Sequence, residues 1–318
     1  MQRYLVHRLL QLIPSLFVAS LFIFLIIQLS PGDPAAMMLG YDDTQEELTA
    51  ERVRLGLDQP LPIRYVIWLS DIARLNLGNS IPARRPVITM IAQAFPNTLR
   101  LALAAMSIAV ILGFCMGALS ALLKDSLLDS LITSLNSLGL AIPSFWLGIL
   151  MILLFSVNLK WLPPSGVGEE GAGFLHNLKY LVMPVTTIAV HQTAVLARFV
   201  RSALIDVMSA DYIRTARAKG LREASVVVRH ALKNALIPIV TILGIQFARL
   251  VGGAVVTESV FAYAGIGRLV VVAILNRDYP VVQATLVLVV LMVLLINLAV
   301  DLLYGYLDPR IRFERSRR

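Results

Sequence analysis

Residues 211–238 read DYIRTARAKGLREASVVVRHALKNALIP, a polar and strongly basic stretch between two apolar runs of membrane length. Asp211 can cap a helix start. Gly220 can supply a left-handed stop nine residues later, with Lys219 in the last turn, where a cation suits the helix dipole. The spacing predicts a two-turn helix from Tyr212 to Lys219, a turn, and a second helix that runs to Pro238. A rigid helical elbow projecting from a membrane bundle can pass force to a soluble partner. The same stretch also reads as an ordinary basic loop, which positive-inside sorting alone produces.

The rest of the chain fixes the setting. Of 318 residues 58% are hydrophobic, and the mean hydropathy is +0.77. These values exclude a typical soluble domain. Six apolar runs approach the roughly 20 residues a spanning helix needs: Leu9–Leu29, Leu101–Leu123, Leu131–Val157, Leu181–Val200, Ala235–Thr257 and Val281–Gly305. The fourth carries Pro184, His191 and Gln192, so it is expected inside a bundle, where neighbours satisfy polar atoms. The first run is about 21 residues, longer than the hydrophobic region of a signal peptide, and is read as an uncleaved span.

The net charge is +8 and the isoelectric point about 9.9. The Lys and Arg residues cluster beside membrane runs, and no aromatic–basic stacking surface accompanies them, so lipid rather than nucleic acid is the expected partner. The single cysteine, Cys115, reads as a packing residue. The four histidines have no metal-ligand spacing, so no metal site is expected.

Placing the N-terminus in the cytoplasm puts Arg3, Arg8, the basic residues of 211–234 and Arg310–Arg318 on one side. The short loops on the other side hold only Lys160, Lys179, Arg268 and Arg277. Both termini are therefore expected in the cytoplasm of a multi-pass inner-membrane protein. The predicted organisation is a first span over 1–30, a periplasmic helical insertion over 31–98, and a membrane core over 99–318 with its cytoplasmic loop at 201–234. Within the insertion, a capping box at Thr44–Glu47 starts one helix that Gly56 can end. Pro62 opens a second helix, Ile63–Arg74, and Pro86 a third, Val87–Phe95, lying along the membrane. The insertion reads either as a surface cap or as a docking surface. Pro143 should break the third span, and Gly113 and Gly117 form a small-residue pair for close helix packing. No internal repeat supports an inverted-repeat transporter.

The stretch TARAKG followed by HALKNALIP resembles the cytoplasmic loop of ABC-transporter permeases of the dipeptide/oligopeptide/nickel family. The general loop of such permeases begins Glu-Ala-Ala, with Gly four residues after the second Ala. Those positions here are Arg214, Thr215, Ala216 and Gly220, and the later Ile-x-Leu-Pro falls on His230–Lys233. The departures look like the peptide subfamily's own variant. Further similarities run through the chain in order: Pro31–Pro34, Leu75–Ser80, Pro96-Asn-Thr98, Pro143–Trp146, Phe261–Arg268, Arg277–Pro280, Asp301–Tyr304 and Asp308–Arg310.

The resemblance implies the all-α fold of a type I ABC importer permease with six transmembrane helices, and the long insertion resembles the first, B-type, permease of a pair. It implies a pathway shared with a second homologous permease, two cytoplasmic ATPases that bind ATP and Mg, and a periplasmic substrate-binding protein. This chain has no phosphate-binding loop motif and is expected to bind no cofactor and to be no enzyme. The expected function is ATP-driven import of dipeptides or oligopeptides, with nickel-chelate or glutathione import as the alternative. A secondary transporter, coupled through Arg249 or Asp301, is a weaker reading. Coupling to the ATPases falls on Asp211, Tyr212, Ile213, Arg214, Thr215, Ala216, Lys219 and Gly220. Gln246, Arg249 and Gly253 share a face of the fifth span and are the candidate pathway residues. A guanidinium there suits a peptide carboxylate, or it pairs with Glu258 or an acid of a partner subunit.

Overall fold

A computed structural model describes residues 2–29, 45–54, 56, 58–169 and 171–307. The Pro31–Pro34 and Asp308–Arg310 motifs, the capping residue Thr44 and the basic C-terminal run lie outside the described residues. The chain is helical: α1 (Gln2–Gln28), α2 (Gln45–Arg54), α3 (Leu61–Ala73), α4 (Val87–Leu122), α5 (Leu127–Ala141), α6 (Ser144–Met151), α7 (Phe174–Met208), α8 (Asp211–Ala218), α9 (Leu232–Gly253), α10 (Val255–Val260), α11 (Ile266–Leu275) and α12 (Tyr279–Leu307). Segment α6 continues as π-helix over Ile152–Asn158, and a π-helical stretch Val226–Ala231 leads into α9.

Five apolar stretches are continuous and long enough to cross a bilayer: Leu10–Gln28, Val87–Leu122, Leu175–Met208, Pro238–Val260 and Tyr279–Leu303. The pair Leu127–Ala141 and Ser144–Asn158 is apolar enough to make a sixth when taken as one span, and it is bent by 94° at its break. Pro143 makes the bend. It forces Ile142 out of helical geometry, to ψ 120°, and restarts the helix at its own C-terminal side.

Two expectations about prolines are corrected. Val87–Phe95 is not a separate surface helix, because α4 runs unbroken through Pro96 for 36 residues. Beside the proline, the Asn97 side-chain amide donates to the Gln93 carbonyl at 3.3 Å and across to the Ala264 carbonyl at 2.8 Å, so this part of α4 is tied to the segment before α11. Likewise the second helix of the 211–238 stretch does not end at Pro238 but continues to Gly253. The second insertion helix is seen, one or two residues earlier than expected, with Pro60 as its N-cap.

The core forms where α4 meets α7. A Cβ on Gly113 would stand 2.8 Å from the Leu196 Cβ, and one on Gly117 would stand 2.5 Å from the Ala197 carbonyl oxygen. The small-residue pair therefore lets two long helices touch backbone to side chain. Leu101, Ala102 and Ala105 of α4 then bury against Met183, Ile188, Leu250 and Phe261.

Buried ionic and polar groups tie the ends of the bundle. At the end carrying α8, Arg201 of α7 holds Asp129 of α5 in a bidentate pair at 2.8 and 2.7 Å, and Ser120 of α4 also donates to that carboxylate. At the same end Arg8 pairs with Asp301 at 2.8 Å, fixing α1 to α12. Asp301, a candidate for ion coupling, is thus part of a helix-to-helix tie. At the opposite end, Thr98 donates to Glu258 at 2.6 Å and accepts from the Ile266 amide at 2.8 Å, while Glu258 accepts from the Arg268 amide at 3.0 Å. A carboxylate at the start of α11 is well placed for its free amides and dipole. Nearby, Ser80 donates to Asp278 at 2.5 Å, and the Ile81 amide donates to the other oxygen at 3.2 Å.

Candidate functional site

Two regions concentrate polar groups. The first is α8 and the turn behind it. The helix starts one residue earlier than expected. Ala210 is the N-cap, and Asp211 sits in the first turn without a side-chain capping bond, still favourable to the helix dipole. The stop is as expected: Gly220 has φ +76°. The Leu221 amide bonds the Ala216 carbonyl at 3.4 Å and the Gly220 amide bonds the Arg217 carbonyl at 2.9 Å, the paired closure of a Schellman turn.

Ile213 and Ala216 share one face of α8, as their spacing requires. That face is buried against Val226 and Ala231 of the same chain and packs beside Val207 and Met208. The surface left open carries Asp211, Tyr212, Arg214, Thr215, Lys219 and Gly220. Of the coupling residues expected from the sequence, Ile213 and Ala216 are therefore on the buried side of α8 and not on its open surface. Ala216 lets the elbow fold tightly on itself instead. Two braces hold the elbow. Arg217 donates to Glu223 at 2.6 and 3.1 Å, and Asn234 donates to the Tyr212 hydroxyl at 2.9 Å. The hydrogen bond from Arg217 holds the Glu223 carboxyl below the usual carboxylate range.

The second region is a cavity of about 430 Å³ at the Pro143 bend. Ile142, Pro143 and Ser144 form one wall, His191 and Gln192 of α7 a second, and Gln246, Arg249 and Thr257 a third. The Gln246 side-chain amide donates to the Gln192 oxygen at 2.8 Å, so one buried glutamine is satisfied by another across the helix pair. Arg249 is exposed to the cavity, and among the described residues no hydrogen bond or ion pair engages its side chain. The alternative pairing with Glu258 is not realised, because that carboxylate is occupied by Thr98 and the start of α11. The lining contains no carboxylate and no thiol, so it presents donors, one imidazole and one fixed cation.

The structure thus brings Gln246 and Arg249 together, and Gly253 ends α9. His191, Gln192, Ser144 and Thr257 were not singled out as pathway residues. The signal for the first two was in the sequence, as polar groups in an otherwise apolar run. What the run could not show was that they face the proline bend of a neighbouring helix.

An all-helical bundle with a broken span, a polar mid-bundle cavity and a projecting basic elbow defines a membrane translocation subunit. The chain belongs to the family described as the binding-protein-dependent transport system inner membrane component, which matches residues 109–313, with the family's N-terminal component matching residues 1–102. It is 40% identical over 310 residues to a probable peptide ABC transporter permease of Sinorhizobium fredii, covering 98% of this chain and 99% of that one. It is 41% identical to a di/tripeptide transport system permease of Pseudomonas aeruginosa, covering 99% and 100%. It is 42% identical to a glutathione transport system permease of Escherichia coli, covering 99% and 100%. Among solved structures, the inward-facing MetNI methionine ABC transporter aligns with a TM-score of 0.59 at 21% identity, covering 70% of this chain and 98% of that one. The fold is that of a type I ABC importer permease.

Proposed function

We propose that this chain is one of two permeases in an ATP-driven importer of short peptides. In this reading both termini and α8 lie in the cytoplasm, and residues 31–98 lie on the periplasmic side. Two partner ATPases bind ATP with Mg and hydrolyse the ATP, and a periplasmic binding protein delivers substrate. The open surface of α8 meets the ATPases, whose closure moves the elbow and, through the Asp129–Arg201 tie, the bundle. The relatives named for peptide transport support the substrate class.

The observation that carries the reading is the cavity chemistry. A fixed guanidinium beside an imidazole and a glutamine pair, without a carboxylate, suits a substrate with a terminal carboxylate and amide groups. The same wall repels a bare divalent cation. A relative named for glutathione transport favours that tripeptide, which carries two carboxylates, as a second substrate.

Uptake by the complete complex, measured with free and C-terminally amidated peptides, tests the assignment. A charged hydrogen bond contributes about 1.5–3 kcal/mol, so Arg249→Gln should lower uptake of free peptides roughly 10- to 100-fold and spare the amidated ones. Arg249→Lys should keep part of the activity. An equal loss for both peptides rejects the carboxylate contact.

A further inference from the structure

The insertion between α1 and α4 is not uniform. Helix α2, QEELTAERVR, is mostly polar. Helix α3, LPIRYVIWLSDIA, is apolar on most of its circumference, and its charged residues Arg64 and Asp71 are seven apart, on a single stripe. One apolar side packs on α1. Tyr65 is buried there, with its hydroxyl 2.8 Å from the Ser20 hydroxyl and its ring edge-on to Phe17 and Phe24 at 6.0 and 5.4 Å. Trp68 lies 5.6 Å from Phe24.

The depth of this contact is readable. Ile27 of α1 packs against the cluster that holds Val281, Val282 and Ala284 with Val87 and Ile91, which puts the end of α1 at the end of the bundle where the apolar runs of α4 and α12 start. Phe24 and Ser20 lie four and eight residues before Gln28, about 6 and 12 Å further into the bundle at 1.5 Å per residue. Tyr65 and Trp68 therefore meet a spanning helix below the edge of its apolar zone. A tyrosine hydroxyl at that level needs an internal partner, and Ser20 provides it.

The opposite side of α3 is also apolar and open. Ile63, Val66 and Ile67 are 49%, 63% and 48% exposed, and α1 also carries open apolar side chains at Phe22 and Ile26. We propose that α3 lies within the outer leaflet as a membrane-inserted helix, its Ile63/Val66/Ile67 side covered by lipid acyl chains. It is not part of a water-exposed periplasmic unit. Amphipathic helices lie about 5–10 Å into this zone, and the long Arg64 side chain can carry its charge toward the headgroups.

The test is nitroxide accessibility in the full complex in lipid bilayers, on a Cys115→Ala background. Labels attached through Val66→Cys and Ile67→Cys should collide more with oxygen, which concentrates among acyl chains, than with a water-soluble nickel chelate. A label attached through Glu46→Cys on α2 should show the reverse. Chelate excess at the two α3 sites places the helix in water and overturns the proposal. Exclusion of both agents places a protein surface over it, from the second permease or the binding protein, and overturns it equally. A second measurement leaves α3 unaltered. With Trp146→Phe and Trp161→Phe, Trp68 emission should be quenched by lipids brominated along the acyl chain and not by aqueous iodide. Quenching by iodide alone rejects the proposal. These readouts do not depend on what the complex carries, so their failure leaves the transport reading standing.

Discussion

Gly117 shows what a single missing methyl does. A Cβ there would also stand 2.7 Å from the Val200 Cβ, so neither the backbone nor a β-branched side chain can yield without moving α7. Gly117→Ala should therefore destabilise the purified complex by about 1–3 kcal/mol, read as a lowered thermal unfolding midpoint. Gly220 is the opposite case. Nothing stands within 4 Å of a Cβ there, and only its φ of +76° requires glycine. The four-residue spacing of Gly113 and Gly117 was legible as a packing face, but the helix pressing on it was not. Spacing within one helix reports which side is small, and the partner is set by the tertiary path. The partners of Glu258 are hidden in the sequence for a related reason. Its charge pointed to the nearest cation along the chain, Arg249, whereas its ligands are Thr98, 160 residues away, and the amides at the start of α11.

At the scale of elements, a proline means less inside a membrane than in water. Pro96 and Pro238 read as helix boundaries in the sequence, yet both lie inside helices. A membrane helix keeps its geometry across a proline because leaving it would expose many more backbone groups to lipid. Pro143 does break its helix, and the cavity forms at that break. The elbow was read more fully, because its cues are local: an acidic first turn, a basic last turn and a glycine stop. Its inward face was not, since Val226 and Ala231 reach it only through the following turn. This separates two roles for bulk in α8. Ala216→Trp would force the elbow off its own backing, while Thr215→Trp leaves that packing intact and obstructs only the open surface. Both complexes should remain in the membrane and lose peptide uptake, with ATP hydrolysis no longer stimulated by substrate. Full uptake by the Thr215→Trp complex would return α8 to a solvated basic loop.

At the scale of the molecule, the sequence motifs turn out to be meeting points. Pro96-Asn97-Thr98 joins Phe261–Arg268 through Asn97, Thr98 and Glu258. Leu75–Ser80 joins Arg277–Pro280 through Ser80 and Asp278. Both junctions lie at the end opposite α8, so the segment before α4, the first part of α4 and the segments before α11 and α12 close one end of the bundle. The apolar runs showed how many crossings to expect, and the charge asymmetry gave a direction, but neither could show which segments close which end. The direction itself rests on Lys and Arg placement, and it has a direct consequence. Glu46 of α2 and Arg315 of the C-terminal stretch should lie on opposite sides of the membrane. On a Cys115→Ala background, Glu46→Cys should react with an impermeant thiol reagent in intact cells whose outer membrane has been permeabilised. Arg315→Cys should react only after the inner membrane is opened. Equal labelling of the two sites in intact cells would place them on the same side, and α8 could then not be assigned to face cytoplasmic ATPases.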